Sequence, residues 1–166
     1  MTVASSHIGD LLHELETIYR DADVPMAAWS CDASTACCRF GVTGREPYVT
    51  SIELALLDRA IAARGGPLPP RRQALPLSQE TRSAVGSRRV GSQGERICPL
   101  LDSQGRCAVY AARPLGCRTF FCERATSPGR MPREEIRRLV DRIEELAARH
   151  RAEGDRGRPL GRFLGV

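Results

Sequence analysis

A mainly helical α+β fold is predicted by three observations. Apolar residues recur at helical spacing in three separate stretches, whereas alternation suited to strands is confined to the two sides of one short turn. The remaining long connections are rich in Pro, Gly and Ser. The chain has 166 residues, 42% of them hydrophobic, which suits one domain over 1–166 with a core of its own. Aromatics make up only 5%, so that core is aliphatic.

The first helix covers about 5–20. Ile8, Leu11, Leu12, Leu15, Ile18 and Tyr19 fall on one face, His13 on the opposite polar face, and Ser5 or Ser6 suits the cap. Residues 1–30 form a flank ending in a connection that holds Pro25 and the single Trp, Trp29. Thr50 and Glu53 have capping-box spacing and open a second helix, about 51–64, which Gly65-Gly66 stops. Four prolines make 65–77 a loop, a short helix fits 78–85, and 86–95 is Gly-, Ser- and Arg-rich. Pro132 suits the first turn of the third helix, 132–152, whose stripe is Ile136, Leu139, Val140, Ile143, Leu146 and Ala147. Its outer face offers the i,i+4 pairs Glu134–Arg138, Arg137–Asp141 and Glu145–Arg149. His150 continues the stripe and reads as a packed helix-end histidine. In the tail, 153–166, Leu160, Phe163, Leu164 and Val166 either dock or fray.

Asp102-Ser103-Gln104-Gly105 has a type I turn signature between the stretches 96–101 and 106–111. A hairpin with Leu101 opposite Arg106 would place Leu100 opposite Cys107. Cys98 would then share that face, with its Cα roughly 7–8 Å from that of Cys107. Pro99 makes the strand an edge. Pro114 and Gly116 predict a tight turn presenting Cys117.

No apolar run approaches the ~20 residues of a membrane helix, and the first Arg is Arg20. A membrane or secretory role is therefore disfavoured, and a reducing, cytoplasmic compartment is expected. All 25 basic residues are Arg, with no Lys and no Asn, as in a GC-rich bacterial coding genome. Residues 1–60 carry a net charge of −5 and residues 61–166 a net +10. A basic half raises nucleic acid as a partner, but no Arg block is interleaved with stacking aromatics, and the mixed-sign face of the third helix argues against DNA reading. The excess Arg reads better as a shell around bound thiolates.

Seven cysteines are the strongest chemical signal. Cys31, Cys37 and Cys38 lie within eight residues, and Cys98, Cys107, Cys117 and Cys122 within 25. An odd count with an adjacent pair does not suit a disulfide framework. Two thiol clusters suit a soft metal, zinc or iron, an iron–sulfur cluster included. Metal would staple the irregular Cys-rich region. Neither block has conventional zinc-finger or ferredoxin spacing, so the two are expected to converge on one site. Arg113 and Arg118 are the candidates for orienting and neutralising the thiolates from behind.

These pieces resemble a known family: Cys31-x5-Cys37-Cys38-Arg39-Phe40, Cys98-Pro99-Leu100-Leu101-Asp102, Cys107-Ala108-Val109-Tyr110 and Arg113-Pro114-Leu115-Gly116-Cys117-Arg118. In order and spacing they are similar to the YkgJ-type cysteine-cluster proteins, a family with a CxxCxxCC signature described as chelating zinc or iron. The resemblance covers 31–122 and leaves the flanking helices outside it. It implies metal binding by these cysteines and names no reaction, although a flagellin lysine methylase carries a similar cluster. Ser34 stands where the family's second Cys belongs.

Three functions are weighed: a cytoplasmic metal-binding protein, an iron–sulfur enzyme or redox protein, and a zinc-dependent nucleic-acid or protein adaptor. No carboxylate–His or Ser–His pattern supports hydrolysis, and Gly91-x-x-Gly94 lacks the strand and Lys of a phosphate loop. No protein partner is indicated.

Overall fold

The computed structural model describes residues 3–26, 36–68, 96–119, 132–153, 155 and 157–165. Cys31, Ser34, Cys122, Trp29 and the short helix expected at 78–85 lie outside the described residues. The described chain is mainly helical with one two-stranded sheet, as expected from the sequence.

Three helices carry the fold: α1 (Val3–Asp23), α3 (Ser51–Ala63) and α5 (Arg133–His150). Short elements complete it: α2 (Phe40–Thr43), β1 (Tyr48–Val49), α4 (Leu115–Thr119), β2 (Arg158–Pro159) and α6 (Leu160–Leu164). α1 packs on both α3 and α5, and α3 packs on α5. The predicted stripes meet at the centre: Leu11, Leu15 and Ile18 from α1, Ile52 and Leu57 from α3, and Leu146 from α5 are buried. Each such side chain contributes about 1.5–3 kcal/mol on leaving water. Cys98 belongs to the same buried cluster, and Cys38, Cys107 and Cys117 pack against it, so the cysteine region is an extension of the core.

The outer face of α5 behaves only partly as predicted. Glu134 and Arg138 pair at 2.9 Å, but Arg149 turns to Glu14 and Arg142 to Asp21, each at 2.8 Å. Both partners lie on α1, which packs alongside, so Arg149, expected to pair with Glu145 within its own helix, instead bridges two helices. The two pairs with α1 are about half exposed and Glu134–Arg138 more so, and each is worth about 0.2–1 kcal/mol at most.

The tail docks. β2 pairs antiparallel with β1, Tyr48 opposite Pro159 and Val49 opposite Arg158. The Leu160 N–H donates to the Pro47 carbonyl at 2.9 Å, and Leu160 is buried. The Asp155 carboxylate accepts the Ser51 N–H at the start of α3, and Ser51 Oγ lies 2.8 Å from His150 Nδ1. His150 is thus the half-buried helix-end histidine expected, and it fixes where the tail leaves α5.

The predicted hairpin is reduced to a single antiparallel bridge, Leu101 with Cys107, flanked by turns. The Leu101 N–H donates to the Cys98 carbonyl at 3.1 Å, which closes a turn where a strand was expected. Pro99, with its φ preset for the second position of a turn, favours this. Leu101, not Leu100, faces Cys107. The register differs by one because the Asp102 carboxylate accepts the N–H groups of Gln104 and Arg106 at 2.9 and 2.8 Å. Gly105 at φ +76° lengthens the turn, a conformation that glycine adopts without penalty. The Pro114–Gly116 turn is likewise corrected: Cys117 and Arg118 donate their N–H groups to the Pro114 carbonyl, and α4 begins there.

Candidate metal centre

The two cysteine blocks meet through their backbones. Cys37 and Cys38 lie in a 3-10 turn, Ala36–Cys38, anchored by the buried Phe40 that follows. Arg39 forms a β-bridge with Ile97. The Cys98 N–H donates to the Cys38 carbonyl at 2.8 Å, and the Gly41 N–H to the Arg96 carbonyl at 3.2 Å. Cys98 is thereby held beside Cys38 across a large sequence separation. Cys107 is set by its bridge to Leu101 and by the Ala108 N–H on the Leu100 carbonyl at 2.8 Å.

Cys117 arrives on α4, whose position is fixed by a carboxylate in the core. Glu53 is buried, and its Oε1 accepts the Leu115 N–H at 2.9 Å and the Tyr19 hydroxyl at 3.0 Å. Its Oε2 accepts the Thr50 N–H at 2.9 Å and the Thr50 hydroxyl at 3.1 Å. The capping-box glutamate of α3 therefore also holds α1 and the start of α4. Burial raises the Glu53 carboxyl, with the Thr50 and Leu115 N–H groups opposing. Gly116 makes room for the same element. A Cβ there would stand 2.8 Å from Pro47 Cβ, so any side chain would push α4 off the segment before β1.

All five described cysteines, Cys37, Cys38, Cys98, Cys107 and Cys117, are free thiols lining one cleft of about 1020 Å³. The Sγ atoms of Cys37 and Cys38 are 3.9 Å apart. The Cys37 thiol is lowered to about 6, chiefly by the hydrogen bond with Cys38, with the Arg113 cation adding to it against burial. The same bond raises Cys38, and burial raises it further. Burial pushes Cys98 up to about 11 and also raises Cys107 and Cys117. Neighbouring thiols add to each of these three rises, a sign that the sulfurs feel one another's charge.

The two predicted arginines divide. Arg113 faces the thiols, and its charge lowers Cys37, Cys107 and Cys117. The described contacts of Arg118 include no thiol. Arg118 is buried, and its Nε donates to the Arg113 carbonyl at 2.7 Å. Its terminal nitrogens reach Asp23 Oδ2 at 2.5 Å and the Ala111 carbonyl, and its guanidinium lies 4.3 Å from the Tyr19 ring centroid. A long side chain one residue beyond Cys117 on α4 points to the far side of that helix, towards α1. Arg118 therefore shapes the loop that carries Arg113.

Thiols are the donor type that soft metals prefer. Desolvation favours the protonated form of Cys98, Cys107 and Cys117, and a cation among them would supply the charge that releases their protons. Among the described residues, no group of three or more His, Cys, Asp or Glu side chains is already arranged to hold one ion. Cys31 and Cys122 fall outside those residues. Glu53 and Asp102, the two carboxylates that position this region, were not singled out from the sequence as site residues. The Thr50–Glu53 spacing and the turn signature at Asp102 were the available signals. Among the described residues, no helix is long and apolar enough to cross a membrane. No family model, no curated protein and no solved structure matches this chain.

Proposed function

We propose that this protein binds zinc or iron through a thiolate centre of the YkgJ-like type in a reducing compartment, the cytoplasm. One observation carries the reading: cysteines from two blocks far apart in sequence line one cleft, joined by the Cys98–Cys38 backbone hydrogen bond. Cys37, Cys38, Cys98, Cys107 and Cys117 are the ligand pool, with Cys31 and Cys122 as further candidates. Thiolates are soft ligands that favour zinc and iron–sulfur chemistry over hard cations. Arg113 lowers the cost of gathering negative sulfurs. Asp102 and Glu53 hold the two loops in register without touching the metal.

Metal content and the visible spectrum of protein purified without oxygen test this reading. About one equivalent or more of zinc in a colourless protein, or of iron in a brown one, is expected. Fully folded protein with under ~0.2 equivalents of zinc and iron combined would defeat it. A brown protein bleached by oxygen would favour the iron–sulfur enzyme or redox reading. Six described arginines, Arg59, Arg96, Arg118, Arg138, Arg142 and Arg149, are each paired with a carboxylate, which reduces the basic surface open to a nucleic acid.

A further inference from the structure

We propose that the cleft outside the thiols is a second binding site, for a small organic anion: a carboxylate or phosphate head on a flat, apolar body. The cleft, about 1020 Å³, is far larger than an ion requires. A water-sized species takes about 30 Å³, whereas pockets for organic ligands run to roughly 300–1,000 Å³.

The charge of the walls selects an anion. Arg106 and Arg113 line the cleft, and Glu46 is the one carboxylate among the described lining residues. Glu46 is already engaged, accepting the Gly161 N–H and facing Arg96 at 3.5 Å. Arg113 is pre-set for recognition. Its Cζ lies 3.4 Å from the Tyr110 ring centroid and its Nε donates to the Tyr110 carbonyl at 3.1 Å. The described residues give its two terminal nitrogens no acceptor, so a planar fork is held in place with its paired donors available. The side chain of Arg106 is exposed at the same cleft.

The remaining walls select a flat apolar body. Tyr48 is 67% exposed and Tyr110 46%, and both line the cleft, as do Pro47, Val109 and Pro114. The exposed Tyr48 ring and the Tyr110 ring, which already stacks with the Arg113 guanidinium on one face, offer stacking surface to an aromatic ligand. The binding groups belong to the chain itself, so this site goes beyond the metal reading and does not depend on it.

Calorimetric titration of the protein as purified, in low salt, compares phenyl phosphate, benzoate, inorganic phosphate and neutral benzamide. Phenyl phosphate or benzoate is expected to bind at least about ten-fold more tightly than benzamide, since charge-assisted hydrogen bonds distinguish them. Phenyl phosphate is expected to bind more tightly than inorganic phosphate. Arg113→Gln should weaken the anion by about ten-fold, and Arg106→Gln and Tyr48→Ala by about three-fold each. The last two alter exposed side chains, so they decide the matter should Arg113→Gln fail to fold. Equal binding of benzamide, or undiminished affinity in all folded variants, would overturn the site. So would binding that a chelator abolishes while the variants leave it unchanged, because the anion would then sit on metal. Failure of the metal reading shows separately, as absent metal with anion binding retained.

Discussion

Replacing Glu53 by Ala removes one carboxylate and strands groups on three elements. The Leu115 N–H, the Thr50 N–H and the Tyr19 hydroxyl lose their acceptor in buried surroundings. An unsatisfied buried donor costs roughly 1–3 kcal/mol. The sum is offset by no longer burying a carboxylate and by water entering the vacated space. A net loss of about 3–5 kcal/mol is expected, the range for breaking a buried polar network by deleting one partner. Urea unfolding measures it. Glu53→Gln keeps one oxygen acceptor and should lose about half as much. The pH dependence adds a second signature. Burial raises the folded carboxyl, so its titration contributes stability that is full below the ordinary carboxylate range and is lost as pH rises through the raised value. The cost of Glu53→Ala is therefore larger in mild acid than at neutral pH. A loss under ~1 kcal/mol at both would refute Glu53 as the tie between α1, α3 and α4.

Gly116→Ala drives a Cβ against Pro47, so a loss of about 1–3 kcal/mol and weaker metal retention are expected from calorimetric melting and metal analysis. In metal-free protein, iodoacetamide should label Cys37 first, with a midpoint near pH 6 by mass spectrometry, because its thiolate is stabilised by the Cys38 thiol and by Arg113. The same depressed value contributes stability present above the ordinary thiol range and lost as pH falls through about 6. Cys117→Ser should release metal and lower the melting temperature, whereas Ser34→Cys should retain or tighten metal; equal metal content in Cys117→Ser and the parent would refute the ligand assignment. Leu160→Ala opens the core where the tail docks and should cost about 2–5 kcal/mol in urea unfolding.

The long helices were legible because their signals are local. The Thr50–Glu53 spacing marks the start of α3, and the stripes of α1 and α5 repeat often enough to be unambiguous. The meeting of the cysteine blocks was legible from chemistry, since three thiols underfill a tetrahedral site. What escaped depends on partners distant in sequence. Arg118 looks like a neighbour of Cys117, yet its acceptors are Asp23 and two carbonyls of its own loop. Tyr19 reads as one more apolar position, but its hydroxyl is committed to Glu53. The hairpin's register missed on chemistry that was in view: a carboxylate at the first turn position can take two N–H groups and shift the pairing by one. β1 and β2 are two residues each, too short for any alternation to show.

The docked tail also sets an order in time. Leu160 lines the cleft and is buried in the core, yet it is synthesised 43 residues after Cys117. At 5–20 residues per second that interval is about 2–9 s. During it the five thiols have left the peptidyl-transferase centre before the segment that completes their enclosure. A nascent thiol is open to oxidation and to capture by any thiophilic ion in reach. Until Leu160 and β2 dock, the thiol cleft of a growing chain lacks one of its walls.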